Sequence, residues 1–80
     1  MSLTTLYPAS GAFAVTPHDT NPLTKVTRAL FIGGAGNLKV TMHNGDVVTF
    51  VGVSAGSVLT IRAKIVWFAG TTATNIVGLY

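Results

Sequence analysis

The stretch Asn37-Leu38-Lys39-Val40-Thr41-Met42-His43-Asn44-Gly45-Asp46-Val47-Val48-Thr49-Phe50-Val51-Gly52 decides the fold class. Asn44-Gly45 is its hinge. A two-residue hairpin loop wants φ > 0 at both positions, and Asn followed by Gly tolerates this best. With such a loop His43 opposes Asp46, Met42 opposes Val47, Thr41 opposes Val48, Val40 opposes Thr49, Lys39 opposes Phe50 and Leu38 opposes Val51. Opposite residues share a face, and faces alternate along each strand. Leu38, Val40, Met42, Val47, Thr49 and Val51 then form a core face. Lys39, Thr41, His43, Asp46, Val48 and Phe50 form the other. That second face is half polar, yet Phe50 and Val48 stand on it, so it calls for another layer or another subunit.

Outward from the hairpin, short strands repeat. Phe13 and Val15 alternate with small residues ahead of Pro17, which reads as a short strand; Pro17 to Thr24 reads as a loop. Val26 to Ile32 is apolar on both phases, the pattern of a strand covered on both sides. Gly33-Gly34-Ala35-Gly36 turns the chain into the hairpin. Ser57 to Phe68 alternates with period two, as one bent strand or two: Leu59, Ile61, Ala63, Ile65 and Trp67 point one way, and Val58, Thr60, Arg62, Lys64, Val66 and Phe68 the other. Thr74 to Tyr80 is a last strand. Six to seven short strands, Gly-rich turns and no helical periodicity predict an all-β fold, a small antiparallel β-sandwich of jelly-roll type. Residues 1–17 read as an extended N-terminal arm carrying one short strand, and 18–80 as the sandwich domain.

Composition narrows the function. Eighty residues make one domain, and a chain this short buries only about 60% of its unfolded surface. There is no Cys, so disulfides and thiolate zinc sites are excluded, and oligomerisation is the economical aid to a small core. The chain is 49% hydrophobic and 9% charged, far below the ~25% charged residues of ordinary domains. Much neutral or apolar surface is then exposed, and such patches mark contacts. The net charge of +3 comes from five scattered cations, Lys25, Arg28, Lys39, Arg62 and Lys64, against Asp19 and Asp46. No nucleic-acid partner is expected from it. The longest apolar run, Ile65 to Ala69, is far short of the ~20 residues of a membrane helix, and no secretory leader is visible, so no membrane insertion is expected.

Candidate chemistry is thin. His43 and Asp46 flank the hinge without a nucleophile at any readable spacing. His18-Asp19 with these two lacks the ligand spacing of a metal site. The Gly-rich run has neither a following helix nor a Lys-Ser/Thr closure, so it is a turn and not a phosphate loop. With two carboxylates in different segments, no enzyme, metal or cofactor is expected. Arg62 and Lys64 share a strand face with Val58, Val66 and Phe68. Trp67 and Phe68, being adjacent, point to opposite faces, one to the core and one outward as an anchor. Arg62, Lys64, Trp67, Phe68 and Phe50 are the candidate interface residues, with Asn44 and Gly45 defining the turn. The arm Ser2 to Pro17 is a candidate contact with a neighbour or a larger surface.

Four segments, taken in order, carry a likeness: Arg28-Ala29-Leu30-Phe31-Ile32-Gly33-Gly34-Ala35-Gly36-Asn37-Leu38, Asn44-Gly45-Asp46-Val47-Val48-Thr49-Phe50, Ala55-Gly56-Ser57-Val58-Leu59-Thr60-Ile61-Arg62, and Gly70-Thr71-Thr72-Ala73-Thr74-Asn75-Ile76-Val77-Gly78-Leu79-Tyr80. Over residues 24–80 the chain resembles the spike-base proteins of tailed bacteriophages and gene transfer agents. The resemblance implies a structural virion protein on the capsid surface, assembled in the bacterial host cytoplasm. It implies a homo-oligomeric ring at a fivefold vertex, a pentamer with a trimer as the alternative, holding a separate spike or fibre protein. A cyclic ring uses head-to-tail contacts, which suits a chain with two partly apolar sheet faces. The reading from another class is a small carbohydrate-binding module for host attachment, using Trp67, Tyr7, Tyr80 and nearby Asn; a specific hit on a glycan array separates it from a scaffold.

Overall fold

A computed structural model describes residues 9–19 and 21–80. Seven strands follow in order: β1 (Ala12–Ala14), β2 (Ala29–Gly34), β3 (Gly36–Met42), β4 (Val47–Val53), β5 (Ser57–Leu59), β6 (Ala63–Val66) and β7 (Thr74–Leu79). They form two antiparallel sheets, a four-stranded one in the order β1-β7-β2-β5 and a three-stranded one in the order β4-β3-β6. Among the described residues there is no helix. The all-β sandwich expected from the alternation is the observed architecture.

The core lies between the sheets. Leu30 and Ile32 of β2 and Ile76 of β7 face Leu38 and Val40 of β3 and Ala63 and Val66 of β6, with Ala73 at the margin. β2 passes into β3 through Ala35 alone, so one continuous segment feeds both layers. The Gly-rich run is therefore a crossing between sheets, and its glycines answer close approach. A Cβ on Gly36 would stand 2.7 Å from the carbonyl carbon of Thr72, and one on Gly34 would collide with the Thr74 hydroxyl. The turn expected at 33–36 is this crossing.

The hairpin differs from expectation by one residue. Gly45 N–H donates to the Met42 carbonyl (2.9 Å), and Met42 N–H to the Asp46 carbonyl (2.7 Å), so the loop is His43-Asn44-Gly45. Gly45 holds the positive φ, +102°, while Asn44 does not: Asn75 is the one non-glycine with φ > 0 among the described residues. This is the three-residue loop that ends on a left-handed glycine. Asn44 still fixes the turn, its Oδ1 accepting from Asp46 N–H (3.0 Å). The register becomes Thr41 opposite Val47, Val40 opposite Val48, Lys39 opposite Thr49 and Leu38 opposite Phe50. A slip of one residue exchanges the faces of a strand. Phe50 accordingly packs against the core, and Val47, Thr49 and Val51 turn outward. The expectation of Phe50 on an outer interface is corrected, as is the facing pair of His43 and Asp46.

The alternating stretch 57–68 is two strands in different sheets. β5 pairs with β2, and β6 pairs with β3. Leu59, Ile61 and Ala63 keep the expected inward phase across the passage. A bulge then intervenes: Thr41 opposes Ile65 but Met42 opposes Ala63, so Lys64 is the extra residue. Beyond it the phase reverses. Val66 is buried, and Ile65 and Trp67 lie on the outer face with Thr41. The expected grouping of Trp67 and Ile65 with the inward set is thereby corrected.

His18, Leu23 and Thr27 close the free side of β6. His18 N–H donates to the Val66 carbonyl (2.9 Å), Leu23 N–H to that of Lys64 (2.7 Å) and Thr27 N–H to that of Ala63 (3.2 Å). Thr27 is buried, and its hydroxyl donates to the Ile61 carbonyl (2.9 Å) while accepting from Ala63 N–H (3.1 Å). One side chain thus satisfies two backbone groups where the chain changes sheet. A buried group left unpaired there would cost about 1–3 kcal/mol.

Candidate assembly surfaces

With so few charges, the outer faces of both sheets are the natural places for contact. On the four-stranded sheet the register aligns Ala14, Val77, Phe31 and Val58 in one row across all four strands. Phe31 is 38% exposed and Val58 52%. The next row, Ala12, Leu79 and Ala29, is apolar too. No charged side chain interrupts either row, so the two rows are uncharged and hydrophobic.

The three-stranded sheet is different. Its outer face carries Lys39, Thr41, Ile65 and Trp67. Trp67 Nε1–H donates to Thr41 Oγ1 (2.9 Å), and Lys39 Nζ lies 4.3 Å from the Trp67 ring centroid. The cation is thus folded over the indole, a contact worth about 0.5–1 kcal/mol on a surface. Next to it β4 is an edge strand, with Val51 78% exposed.

Two further features sit on the connections. Asp19 Oδ1 accepts from the N–H groups of Phe68 (3.1 Å) and Ala69 (2.8 Å), holding a turn whose Phe68 ring is 71% exposed. A groove runs beside Phe68, floored by Val15, Pro17, Ala73 and Ile76. Separately, Lys25, Arg28 and Arg62 line one hollow with Tyr80, and Lys25 Nζ stands 5.1 Å from the tyrosine ring. Three cationic side chains thus gather in this hollow.

No protein-family model matches the chain, and no curated protein matches it significantly. Among solved structures, a chain in the capsid of a native gene transfer agent (GTA) particle, computed with C5 symmetry, superposes with a TM-score of 0.83. The two are 32% identical, over 100% of this chain and 100% of that one. The chain belongs to this gene transfer agent capsid family. That relationship supports a structural protein located in the virion.

Seen as a member of the GTA capsid family, the chain distributes its candidate residues over several surfaces. Arg62 is exposed between β5 and β6 and lies in the cationic hollow. Lys64 sits half-buried at the bulge of β6, its backbone carbonyl held by Leu23. Trp67 is half-buried on the outer face of the three-stranded sheet, and Phe68 stands out on the Asp19 turn. Strand alternation put Arg62, Lys64 and Phe68 on one face and Trp67 on the other; the bulge and the end of β6 at Val66 send the four in different directions. Residues 2–8 of the expected arm lie outside the described residues. Ser10 to Val15 is hydrogen-bonded along β7: Ser10 and Gly11 N–H donate to the Tyr80 carbonyl (2.6 and 3.1 Å) and Val15 N–H to that of Ile76 (2.9 Å).

The surfaces that sequence reading did not single out are Phe31 with Val58, and Val47 with Val51. The first was present as a signal in the two-phase apolar run before Gly33. Phe31 was read there as covered, and within the chain its outer side is not. The second was hidden by the one-residue register slip. Of the polar candidates, His18 Nδ1 accepts from Asn21 N–H (3.1 Å), and Asp46 Oδ2 accepts from Asn44 Nδ2 (3.1 Å). His18 and Asp46 are thus used in local turns and Asp19 in the turn at Phe68 and Ala69, and no group of three or more His, Cys, Asp or Glu gathers among the described residues.

Proposed function

We propose that the chain is a structural virion protein that forms the base of a head spike. In this reading it assembles into a ring, a pentamer, at a capsid vertex and joins the capsid to a separate spike or fibre protein. The observation that carries it is the full-length relationship to a chain of the C5-symmetric GTA capsid. The physical features agree. An apolar outer face on the four-stranded sheet, with Val47, Val51 and Phe68 exposed elsewhere, leaves hydrophobic surface suited to contacts between subunits. Head-to-tail contacts in a ring bury two different faces of each subunit.

Within this reading, Trp67, Phe68 and the cationic residues Arg62 and Lys64 face neighbouring subunits or the capsid. Of the arm, Ser10 to Val15 is engaged along β7, so docking on the capsid falls to the residues before it. The test is electron microscopy of particles from producing cells that lack this chain. Intact heads without spikes, restored when the chain is supplied, are expected. Heads that keep their spikes would remove the proposal, and heads that fail to close would make the chain part of the shell itself.

A further inference from the structure

Of the four sheet edges, three are managed within the chain. β6 is hydrogen-bonded along its free side by His18, Leu23 and Thr27, and β1 and β5 are only three residues long. β4 is seven residues long, Val-Val-Thr-Phe-Val-Gly-Val, without a charge or a proline. Natural proteins blunt free edges with charge, proline, shortness or cover, because a bare edge templates pairing with another chain. Among the described residues β4 has no cover. A bulge at its end, where Gly36 opposes Val53, does bend the strand, with Gly52 at φ +71°. It leaves Val47 to Phe50 regular.

The register tells which groups are free. Met42 donates to Asp46, and opposite pairs in an antiparallel ladder alternate between bonded and non-bonded. Val48 and Phe50 therefore bond back to β3, and Gly52 N–H bonds to Asn37 Oδ1 (3.0 Å). Val47 and Thr49 point N–H and C=O groups off the edge, and Val51 follows in the bulge, 78% exposed. Their side chains are also the outward-facing ones. The nearest cation on that face, Lys39, is drawn over Trp67.

We infer that β4 is the strand-addition edge of the ring: an extended segment of a neighbouring copy of this chain pairs with Val47 to Val51. The inference rests on the ring reading above and names its contact. A second copy fits best because the edge is uncharged and its partner must be uncharged too, as most of this chain is. In a ring the contact is head-to-tail, so the neighbour offers a segment other than its own β4; β4 against β4 would close a dimer.

The experiment is native mass spectrometry over a range of concentrations on the full chain and on Thr49→Pro and Val51→Lys. Proline at 49 removes an N–H that β3 does not use, at the kind of site where edge strands tolerate it. Lysine at 51 needs no backbone change. A wild-type ring and monomeric variants with unchanged far-UV circular dichroism are expected. A ring that survives Val51→Lys and a folded Thr49→Pro overturns the edge contact alone; if those variants then fail to join particles, the edge serves the capsid instead. A wild type that is monomeric or stops at a dimer overturns the ring and this contact with it.

Discussion

Along β6, the backbone N–H groups of His18, Leu23 and Thr27 close the free side of the strand; along β4, on the other flank of β3, no described residue does so. The two edges belong to one three-stranded sheet and meet the same water. They differ in what the sequence supplies. The β6 side has His18, Leu23 and a buried Thr27, with Asp19 holding the turn at Phe68. The β4 side has a three-residue turn, Asp46 and then seven uncharged residues, five of them exposed. An edge can be finished by the chain itself or left for a partner, and an 80-residue protein with one small core does both. Stability of the subunit should then depend on the first edge, and assembly on the second.

The largest effect on stability is expected at the finished edge. Thr27→Val keeps the shape but removes a hydroxyl that satisfies both Ile61 C=O and Ala63 N–H. Leaving two buried backbone groups unpaired should cost about 2–4 kcal/mol. Denaturant unfolding of the monomeric Val51→Lys background should show a lower midpoint at unchanged slope. A shift below about 1 kcal/mol would mean that water reaches this crossing, and the contrast between the edges would lose its basis.

Next in size is the contrast within β4 itself. Phe50 packs on the core while Val51, its neighbour, stands out. Phe50→Ala should cost about 2 kcal/mol, less than a fully buried Phe, and Val51→Ala less than about 0.5 kcal/mol. With the two-residue loop the order would be reversed. Unfolding midpoints of the two variants therefore measure the register directly.

That register shows where sequence reading stopped. Strand number, sheet alternation and the fold class follow from period-two patterning and Gly-rich turns, and these were legible. Asn44-Gly45 was legible as a turn, but both hairpin loops place Gly after Asn, one as the second residue and the other as the third, and only the backbone separates them. The alternation of 57–68 was read correctly as far as Ala63, because both sheets turn their inner faces to one core. It failed at Lys64, where one bulged residue leaves no mark in composition. The assembly surfaces suffered most: a candidate face is chosen by phase, and each slip of one residue exchanges the faces.

The smallest effect links the finished edge to an exposed aromatic. Asp19 belongs to the segment along β6, and its Oδ1 holds the N–H groups of Phe68 and Ala69. Both partners are exposed, so water replaces the carboxylate readily, and Asp19→Ala should cost about 1 kcal/mol, the scale of a lost helix cap. Hydrogen exchange at the Phe68 and Ala69 amides should quicken while the β6 amides keep their protection. If β4 alone carries the ring, native mass should not change in this variant. A ring that weakens together with the faster exchange would place Phe68 in the contact as well, since an anchor loses affinity when the turn that presents it is loosened. The two edges would then share in assembly, and the division between a finished edge and an offered one would hold for folding alone.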